Sequence, residues 1–136
     1  MIRLFGATCV TVLAFLTSSV FGEELRIAEG YSDFGSPGPV TVDRPMQLVV
    51  DQIVAFPERF GGGRPELELK SYMNSENLLV VEIIENGFLD DSVKGANKRF
   101  VFSEAENGKF KLTEYGYRQQ CYRGNDPTKW VAQPCS

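Results

Sequence analysis

The stretch RFVFSEAENGKFKLT (residues 99–113) decides the fold, because it combines two strand patterns with the turn that joins them. Phe100 and Phe102 alternate with other residues in its first half, which is typical of a strand with one buried face. The same alternation resumes in KFKLT at its end. Asn107-Gly108 lies between the two runs, and both residues tolerate the positive φ angles of a tight turn. The stretch therefore predicts a β-hairpin.

Strand patterns continue on both sides of this hairpin. Leu67 and Leu69 alternate with charged residues, which predicts a half-buried strand. The run LLVVEII (residues 78–84) is apolar on both faces except at Glu82, which predicts a strand covered on two sides. After the hairpin, Gly116 between two tyrosines predicts a β-bulge in the next strand.

One helix is expected before these strands. Asp43 is suited to capping a helix N-terminus, Pro45 suits the first turn, and Pro57 ends the element. The apolar residues that share one helical face are Met46, Val49, Val50 and Ile53. Because valine and isoleucine also favour strands, a strand is the alternative. The predicted fold class is α+β, with one helix packed on an antiparallel meander of about four or five strands.

The N-terminus predicts export. Arg3 precedes an uncharged, mostly apolar stretch over residues 4–16, which is shorter than a typical membrane-spanning helix. Val20 and Gly22 have the small-residue spacing of a signal-peptide cleavage site. The expected localisation is periplasmic or extracellular, with no membrane span after cleavage. An uncleaved N-terminal anchor is the alternative.

The domain organisation follows from this cleavage site. We predict a secretory signal peptide over residues 1–22, an extended leader over 23–39 and a single domain over 40–136. The leader is rich in glycine, serine and proline. Tyr31 and Phe34 either pin it to the domain or form a docking peptide. Three consecutive glycines at residues 61–63 predict a flexible linker within the domain.

The charge balance excludes one class of partner. The chain has 18 acidic and 14 basic residues and a net charge of −4 at pH 7, and removal of Arg3 makes it more negative. Phosphate backbones are bound by clustered lysines and arginines, and the sequence has no such cluster. No nucleic-acid partner is therefore expected.

The chain contains no histidine, the most common general base and metal ligand. No Ser-His or Cys-His catalytic arrangement can therefore be built. Asp90 and Asp91, with Asn86 nearby, could hold calcium through oxygen ligands. A turn capped by either aspartate is the simpler interpretation. We therefore expect neither a metal site nor a cofactor.

Two cysteines remain after the signal peptide, because Cys9 lies within it. In an oxidising compartment Cys121 and Cys135 are expected to pair with each other, and two independent thiols are the alternative. The bridge would close the C-terminal loop and stabilise the fold by about 3 kcal/mol on the chain-entropy model.

The C-terminal segment carries the residue types that dominate binding hot spots. The candidate binding residues around the predicted disulfide loop are Arg118, Tyr122, Arg123 and Trp130. A closed loop loses less entropy on binding. We therefore expect a non-catalytic binding module of the cell envelope, with an envelope or extracellular protein as its partner. In the structural alternative, Trp130 packs under the loop and an arginine stacks on a tyrosine.

A carboxylate-based hydrolase is the second functional hypothesis. It would use Glu82, Asp90 or Asp91, and two such carboxylates need a defined separation. Glu82 would have to be buried to act as an acid or base. In the alternative interpretation it points to solvent or pairs with Arg99 or Lys98 on a neighbouring strand.

A secreted inhibitor is the third hypothesis. The run QLVVD (residues 47–51) resembles the Gln-x-Val-x-Gly loop of cystatins, but the glycine is absent. The run also coincides with the predicted helix, whereas the cystatin motif lies in a loop.

Two C-terminal motifs carry a further resemblance. The turn GFLDDSVKG (residues 87–95) is similar to a G-L-x-D-D-S-V pattern, and Gln119-Gln120-Cys121, Trp130 and Cys135 are similar in order, though not in the Gln–Cys spacing, to a late Q-x-x-C…G…W…C pattern. In both respects the chain resembles small exported bacterial proteins, many of them cyanobacterial, to which no activity is assigned. The chain departs from them between Gly124 and Trp130, where they are richer in arginine and histidine. This departure argues against a histidine-based site in that stretch, because the chain has no histidine. The resemblance implies an uncharacterised envelope protein and supplies no mechanism.

Overall fold

A computed structural model describes residues 24–53, 66–88, 92–124 and 126–136 of the chain. Four sequence predictions lie outside these residues: the signal peptide, the helix end at Pro57, the linker at 61–63 and the aspartate pair Asp90 and Asp91.

Seven strands and one short α-helix are present in the described residues. In chain order they are β1 (Arg26–Ile27), β2 (Thr41–Val42), α1 (Pro45–Asp51), β3 (Glu66–Met73), β4 (Leu79–Asn86), β5 (Val93–Glu104), β6 (Phe110–Cys121) and β7 (Trp130–Val131). The strands form one sheet in the order β1-β6-β5-β4-β3, and β2 and β7 also pair with β6.

The predicted α+β class is wrong, because the protein is mostly β. Its sheet is mixed rather than an antiparallel meander, since β1 runs parallel to β6. Three strands of two residues each pair with β6, which is 12 residues long. Strands of two residues are too short to leave an alternating pattern in the sequence. The helix has only seven residues and is a minor part of the fold.

The N-terminal segment lies along β6. Ile27 of β1 is opposite Tyr115 in the parallel register. Further on, Ser32 and Tyr117 exchange two backbone hydrogen bonds, of 2.8 and 2.9 Å. Residues that the sequence assigned to an extended leader therefore contribute a strand and a bridge to the sheet.

The predicted hairpin between β5 and β6 is confirmed. Asn107 and Gly108 both adopt positive φ angles, of 61° and 70°, as the Asn-Gly pair predicts. The backbone N–H of Ala105 donates to the carbonyl of Lys109 at 2.8 Å and closes the loop. This hairpin aligns the two longest strands of the sheet.

Side chains of the central strands alternate between two faces of the sheet. We call the face that α1 covers the core face. On it, Phe100 of β5 lies between Val81 of β4 and Tyr115 of β6 in the cross-strand register. Leu48 and Val49 of α1 pack against this cluster. The opposite face carries polar residues.

The helix differs from its prediction in two respects. Its N-cap position is Arg44, without a side-chain cap, so Asp43 does not cap it as expected, although proline does lie in the first turn. Met46 and Val50 were expected on the buried face, but each is 38% exposed. The physical reason is length, because a seven-residue helix docks over a narrow contact around Leu48 and Val49 rather than along a full stripe.

Two strand predictions also need correction. β3 is a strand, but all of its residues are exposed, so Leu67 and Leu69 are not half-buried. The expected bulge at Gly116 is absent, since Gly116 continues the regular register opposite Arg99. The register shifts between β5 and β6 lie elsewhere, between Val93 and Gly95 and between Val101 and Phe102.

The predicted pairing of Cys121 and Cys135 is confirmed. The two residues form a disulfide with a Cα–Cα distance of 5.4 Å. It joins the end of β6 to the segment after β7, so it fixes the loop between these strands. A disulfide is compatible with an oxidising, exported compartment.

Candidate functional site

A connected cluster of polar and aromatic side chains lies on the face of the sheet opposite the core. We call this the polar face, and its central residues are Tyr31, Tyr72, Glu82, Asn97, Arg99 and Arg118. The strand register places Glu82 opposite Arg99 and Asn97 opposite Arg118, and opposite residues of antiparallel strands point to the same side. Residues far apart in sequence thereby meet on three adjacent strands.

One half of the cluster is an ion pair. Arg99 Nη1 lies 3.3 Å from Glu82 Oε1 and donates to the Tyr72 hydroxyl at 2.9 Å. Both charged side chains are largely buried, with 21% and 11% of the arginine and glutamate side chains exposed. Burial opposes the charged form of Arg99, but the hydrogen bond to Tyr72 and the electrostatic effects of Tyr72, Tyr31 and Glu82 together outweigh it and raise the arginine pKa. The pair matches the interpretation of Glu82 as a partner of Arg99.

The other half of the cluster is centred on Asn97. Its Nδ2 donates to the carbonyl of Ile83 at 3.2 Å, so its Oδ1 is directed toward the other side chains. That oxygen accepts from Arg118 Nε at 2.9 Å and lies 3.1 Å from the Tyr31 hydroxyl. Tyr31 lies equally close, 3.1 Å, to Glu82 Oε1 and thus links the two halves.

Burial and a neighbouring charge keep Tyr31 protonated. Desolvation, followed by the negative charge of Glu82, raises the pKa of Tyr31 from 10.0 to about 12. The nearby guanidinium groups of Arg118 and Arg99 act in the opposite direction and are outweighed. The hydroxyl therefore remains a hydrogen-bond donor throughout the neutral and moderately alkaline range.

Arg118 contacts two aromatic rings, and we call these three side chains the stack. Its guanidinium carbon lies 4.6 Å from the ring centroid of Tyr31 and 5.4 Å from that of Trp130, both within the range of cation–π attraction. Trp130 is brought there by β7, which places it opposite Gln120 of β6. With Nε held by Asn97, the Arg118 guanidinium is in contact with one buried amide and with both rings.

The turn before Trp130 is ordered by local hydrogen bonds. Asp126 accepts from the hydroxyl of Thr128 at 2.6 Å and from its backbone N–H at 2.9 Å, and these bonds lower the pKa of Asp126. Gln120 Nε2 donates to the carbonyl of Thr128 at 2.7 Å. The disulfide loop is therefore held to β6 along its length as well as at its two cysteines.

The four predicted binding residues separate into two pairs. Arg118 and Trp130 belong to the stack on the polar face and are partly buried. Tyr122 and Arg123 follow β6 and are exposed, Tyr122 by 48% of its surface. Arg123 and Cys135 also line a shallow cavity of about 420 Å³ within the disulfide loop.

Sequence reasoning missed part of this cluster. Asn97 and Tyr72 had no predicted role, and Tyr31 was considered only as an anchor or docking residue. The sequence does contain one indication, because a small polar asparagine inside the long strand β5 is unusual for a strand and is fully buried here. Its meeting with Tyr31 depends on long-range pairing that no local pattern reveals.

The two buried carboxylates of the described residues do not lie side by side. Glu82 and Glu85 are the two buried carboxylates in this part of the chain, but they are three residues apart on β4 and therefore lie on opposite faces. Asp90 and Asp91 lie outside the described residues, so their role stays a prediction. Within the described ranges, no group of three or more acidic or cysteine side chains is placed to hold a metal.

The cystatin-like run on which the inhibitor hypothesis depends is helical rather than a loop. Residues 47–51 lie within α1, whereas the cystatin pattern belongs to a loop.

None of the helices in the described residues has the length and apolar character needed to cross a membrane.

A further cavity lies away from the polar face. It has a volume of about 780 Å³ and lies beside α1, where Val42, Leu48 and Gln52 contribute to its wall. None of the four predicted binding residues lines it.

Comparison of the chain with protein-family models, with curated proteins and with solved structures finds no match. The resemblance to small exported bacterial proteins therefore stays a prediction.

Proposed function

We propose that this protein is a non-catalytic binding module of the cell envelope that recognises a protein partner. Its recognition surface comprises the stack of Tyr31, Arg118 and Trp130 together with the exposed loop residues Tyr122 and Arg123. The observation that carries the proposal is the fixed position of Arg118, whose guanidinium contacts the rings of Tyr31 and Trp130 and is hydrogen-bonded to Asn97.

A fixed arginine in contact with aromatic rings is suited to recognition. Tryptophan, tyrosine and arginine are the residue types enriched in binding hot spots. A side chain that is already ordered loses little conformational entropy when a partner binds. Arg118 is ordered by the fold itself, so its contribution to affinity would not be offset by immobilisation.

Local charge indicates the chemistry of the partner. The chain as a whole is acidic, but residues 118–136 contain three cationic side chains (Arg118, Arg123 and Lys129) and one acidic side chain, Asp126. This C-terminal segment is thus a locally positive region on a negative protein. An acidic protein surface is the matching partner, and charge complementarity would accelerate its association.

The test is affinity capture from the envelope fraction of the native host with variants of the immobilised protein. Tyr122→Ala is the most informative variant, because an exposed ring can be removed without loss of core packing. Trp130→Ala tests the stack, and Met46→Ala on the exposed side of α1 is the control. We expect one partner to be retained by wild type and control and lost with both loop variants.

Salt dependence completes this test. Binding of an acidic partner should weaken as ionic strength rises, because surface charges are screened. Capture that is equal for wild type and Tyr122→Ala, or that does not occur with wild type, would contradict the proposed recognition surface.

A further inference from the structure

We propose that the protein forms a symmetric dimer, in which β3 pairs antiparallel with β3 of a second copy and Leu69 lies on the two-fold axis. The pairing would join two sheets edge to edge into one continuous sheet. It involves the edge strand farthest from β6, so it is independent of the recognition surface proposed above.

β3 is an open edge within the described residues. It is the last strand in the sheet order, and β4 is the neighbour to which it is hydrogen-bonded in that part of the chain. All eight of its residues are exposed, and all eight pair with β4 in an unbroken register. The strand contains no proline and no bulge, the common devices that prevent edge pairing. Its outer backbone groups are therefore arranged to accept another strand.

The side chains of β3 also favour a covering strand. Leu67 and Leu69 project on the core-face side with 38% and 42% of their surface exposed, and Met73 is 53% exposed. Cross-strand contacts between such side chains stabilise paired strands. In an antiparallel pair centred on Leu69, the two copies of this leucine would lie directly opposite each other.

Charge favours this register over the two neighbouring registers, in which the two β3 strands would overlap by almost the same length. Centred on Leu69, Glu68 of each copy lies opposite Lys70 of the other, which gives two symmetric opposite-charge pairs. Shifting the centre by one residue places Glu68 opposite Glu68 or Lys70 opposite Lys70, and like charges directly opposite are destabilising. In the single chain, Lys70 Nζ lies 3.4 Å from Glu68 on the same strand, so the four charges would alternate in sign across the dimer.

A second copy of this chain is the partner that fits the open edge of β3, because the side-chain pattern of the strand is self-complementary about Leu69. A strand whose charges and apolar residues complement themselves about one point forms a closed two-fold interface. Addition of a strand to an open edge is a common mode of recognition, and main-chain hydrogen bonds supply much of its affinity. Lys70 can also act as an edge-protecting lysine, and in that case the protein stays monomeric.

Sedimentation velocity of the purified, disulfide-intact protein over a range of micromolar concentrations tests the dimer. We expect wild type to show reversible dimerisation. Glu68→Lys and Lys70→Glu should each weaken it by roughly tenfold or more, because two attractive pairs become repulsive. The double variant E68K/K70E restores opposite charges and should dimerise like wild type.

Two charge-matched variants at the β5–β6 turn serve as controls. Lys109→Glu and Glu106→Lys change net charge as the single variants do, at a distance from β3, and should leave dimerisation unchanged. Glu68→Lys is the cleaner single variant, since Glu68 lies opposite Ile84 in the register, whereas Lys70 lies opposite Glu82. Melting temperatures establish that each variant is folded.

Two results would overturn the proposal. One is a monomeric wild type at every concentration. The other is a dimer that the charge variants weaken but the double swap fails to restore. Neither result bears on partner capture through Tyr122 and Trp130, which is measured separately.

Discussion

Gly116 of β6 provides the space in which the side chain of Tyr31 lies. A Cβ atom added at Gly116 would collide with Cβ and the ring of Tyr31. Gly116 has an ordinary strand register and is buried, so neither a bulge nor a turn accounts for the glycine. This close approach brings the Tyr31 hydroxyl to Glu82 and Asn97, and thereby attaches the N-terminal segment to the polar face.

Gly116→Ala should therefore lower stability by about 1–3 kcal/mol, the usual cost of overpacking. The added methyl group would displace Tyr31 and break its hydrogen bonds. Urea unfolding of the disulfide-intact protein measures the change in the free energy of unfolding. A double-mutant cycle with Tyr31→Gly supplies the control, because the cost of Gly116→Ala should largely vanish once Tyr31 Cβ is removed. Equal costs in both backgrounds would refute the steric explanation.

Alkaline pH should destabilise the protein through Tyr31. The pKa of this residue is raised to about 12 in the folded state, above its usual value of 10.0. Because the pKa is higher in the folded state, the protonated Tyr31 hydroxyl stabilises the fold fully below pH 10. This stabilisation is lost as the pH rises from 10 to 12. Melting temperatures across this range should fall more steeply for wild type than for Tyr31→Phe, which has no proton to lose.

Tyrosinate absorbance gives an independent check of the same prediction. One tyrosine of the folded protein should ionise near pH 12 in wild type, and this component should be missing in Tyr31→Phe. Parallel melting curves for the two proteins between pH 10 and 12 would show that Tyr31 is not the group responsible.

Removal of the disulfide should lower stability clearly. Cys121→Ser releases the loop that carries Trp130, and the chain-entropy model predicts a loss of about 3 kcal/mol. Denaturant unfolding of the oxidised protein measures it. Cys135→Ser and reduced wild type are matched controls that should lose a similar amount. An unchanged unfolding midpoint in Cys121→Ser would show that the bridge does not stabilise the fold.

The sequence predicts the parts of this fold that depend on neighbouring residues. The Phe100 and Phe102 alternation and the Asn107-Gly108 turn are local, and both are confirmed as a hairpin. The strand over Leu79–Asn86 is also found where the apolar run predicts one. Strands of two residues, such as β1, leave no periodic pattern, so the mixed sheet could not be predicted.

In the candidate site, too, local sequence predicts some features, whereas others depend on long-range strand pairing. Arg118 and Trp130 are recognisable from residue type and from their position near the cysteines, and the structure brings them together at 5.4 Å. The structural alternative for this segment, an arginine stacked on a tyrosine, is also realised, but the tyrosine is Tyr31 from the N-terminal segment. Residue type reveals a candidate, whereas its partners depend on register across three strands.

Arg118→Lys separates the charge of the stack from its planar shape. Lysine retains the positive charge, but it has no planar group to contact the two rings and no Nε–H to donate to Asn97. We expect a loss of about 1–2 kcal/mol in the free energy of unfolding, since each exposed cation–π contact contributes about 0.5–1 kcal/mol and one hydrogen bond to a buried amide is also lost.

Partner capture should fall with Arg118→Lys as strongly as with Trp130→Ala, because both variants disrupt the same surface. Arg26→Lys is the matched control, since Arg26 is an exposed residue of β1 that pairs with Glu114, outside the proposed recognition surface, and the substitution keeps its charge. Full capture by Arg118→Lys, with the expected loss of stability, would show that the stack supports the fold and that recognition depends on other residues of the loop.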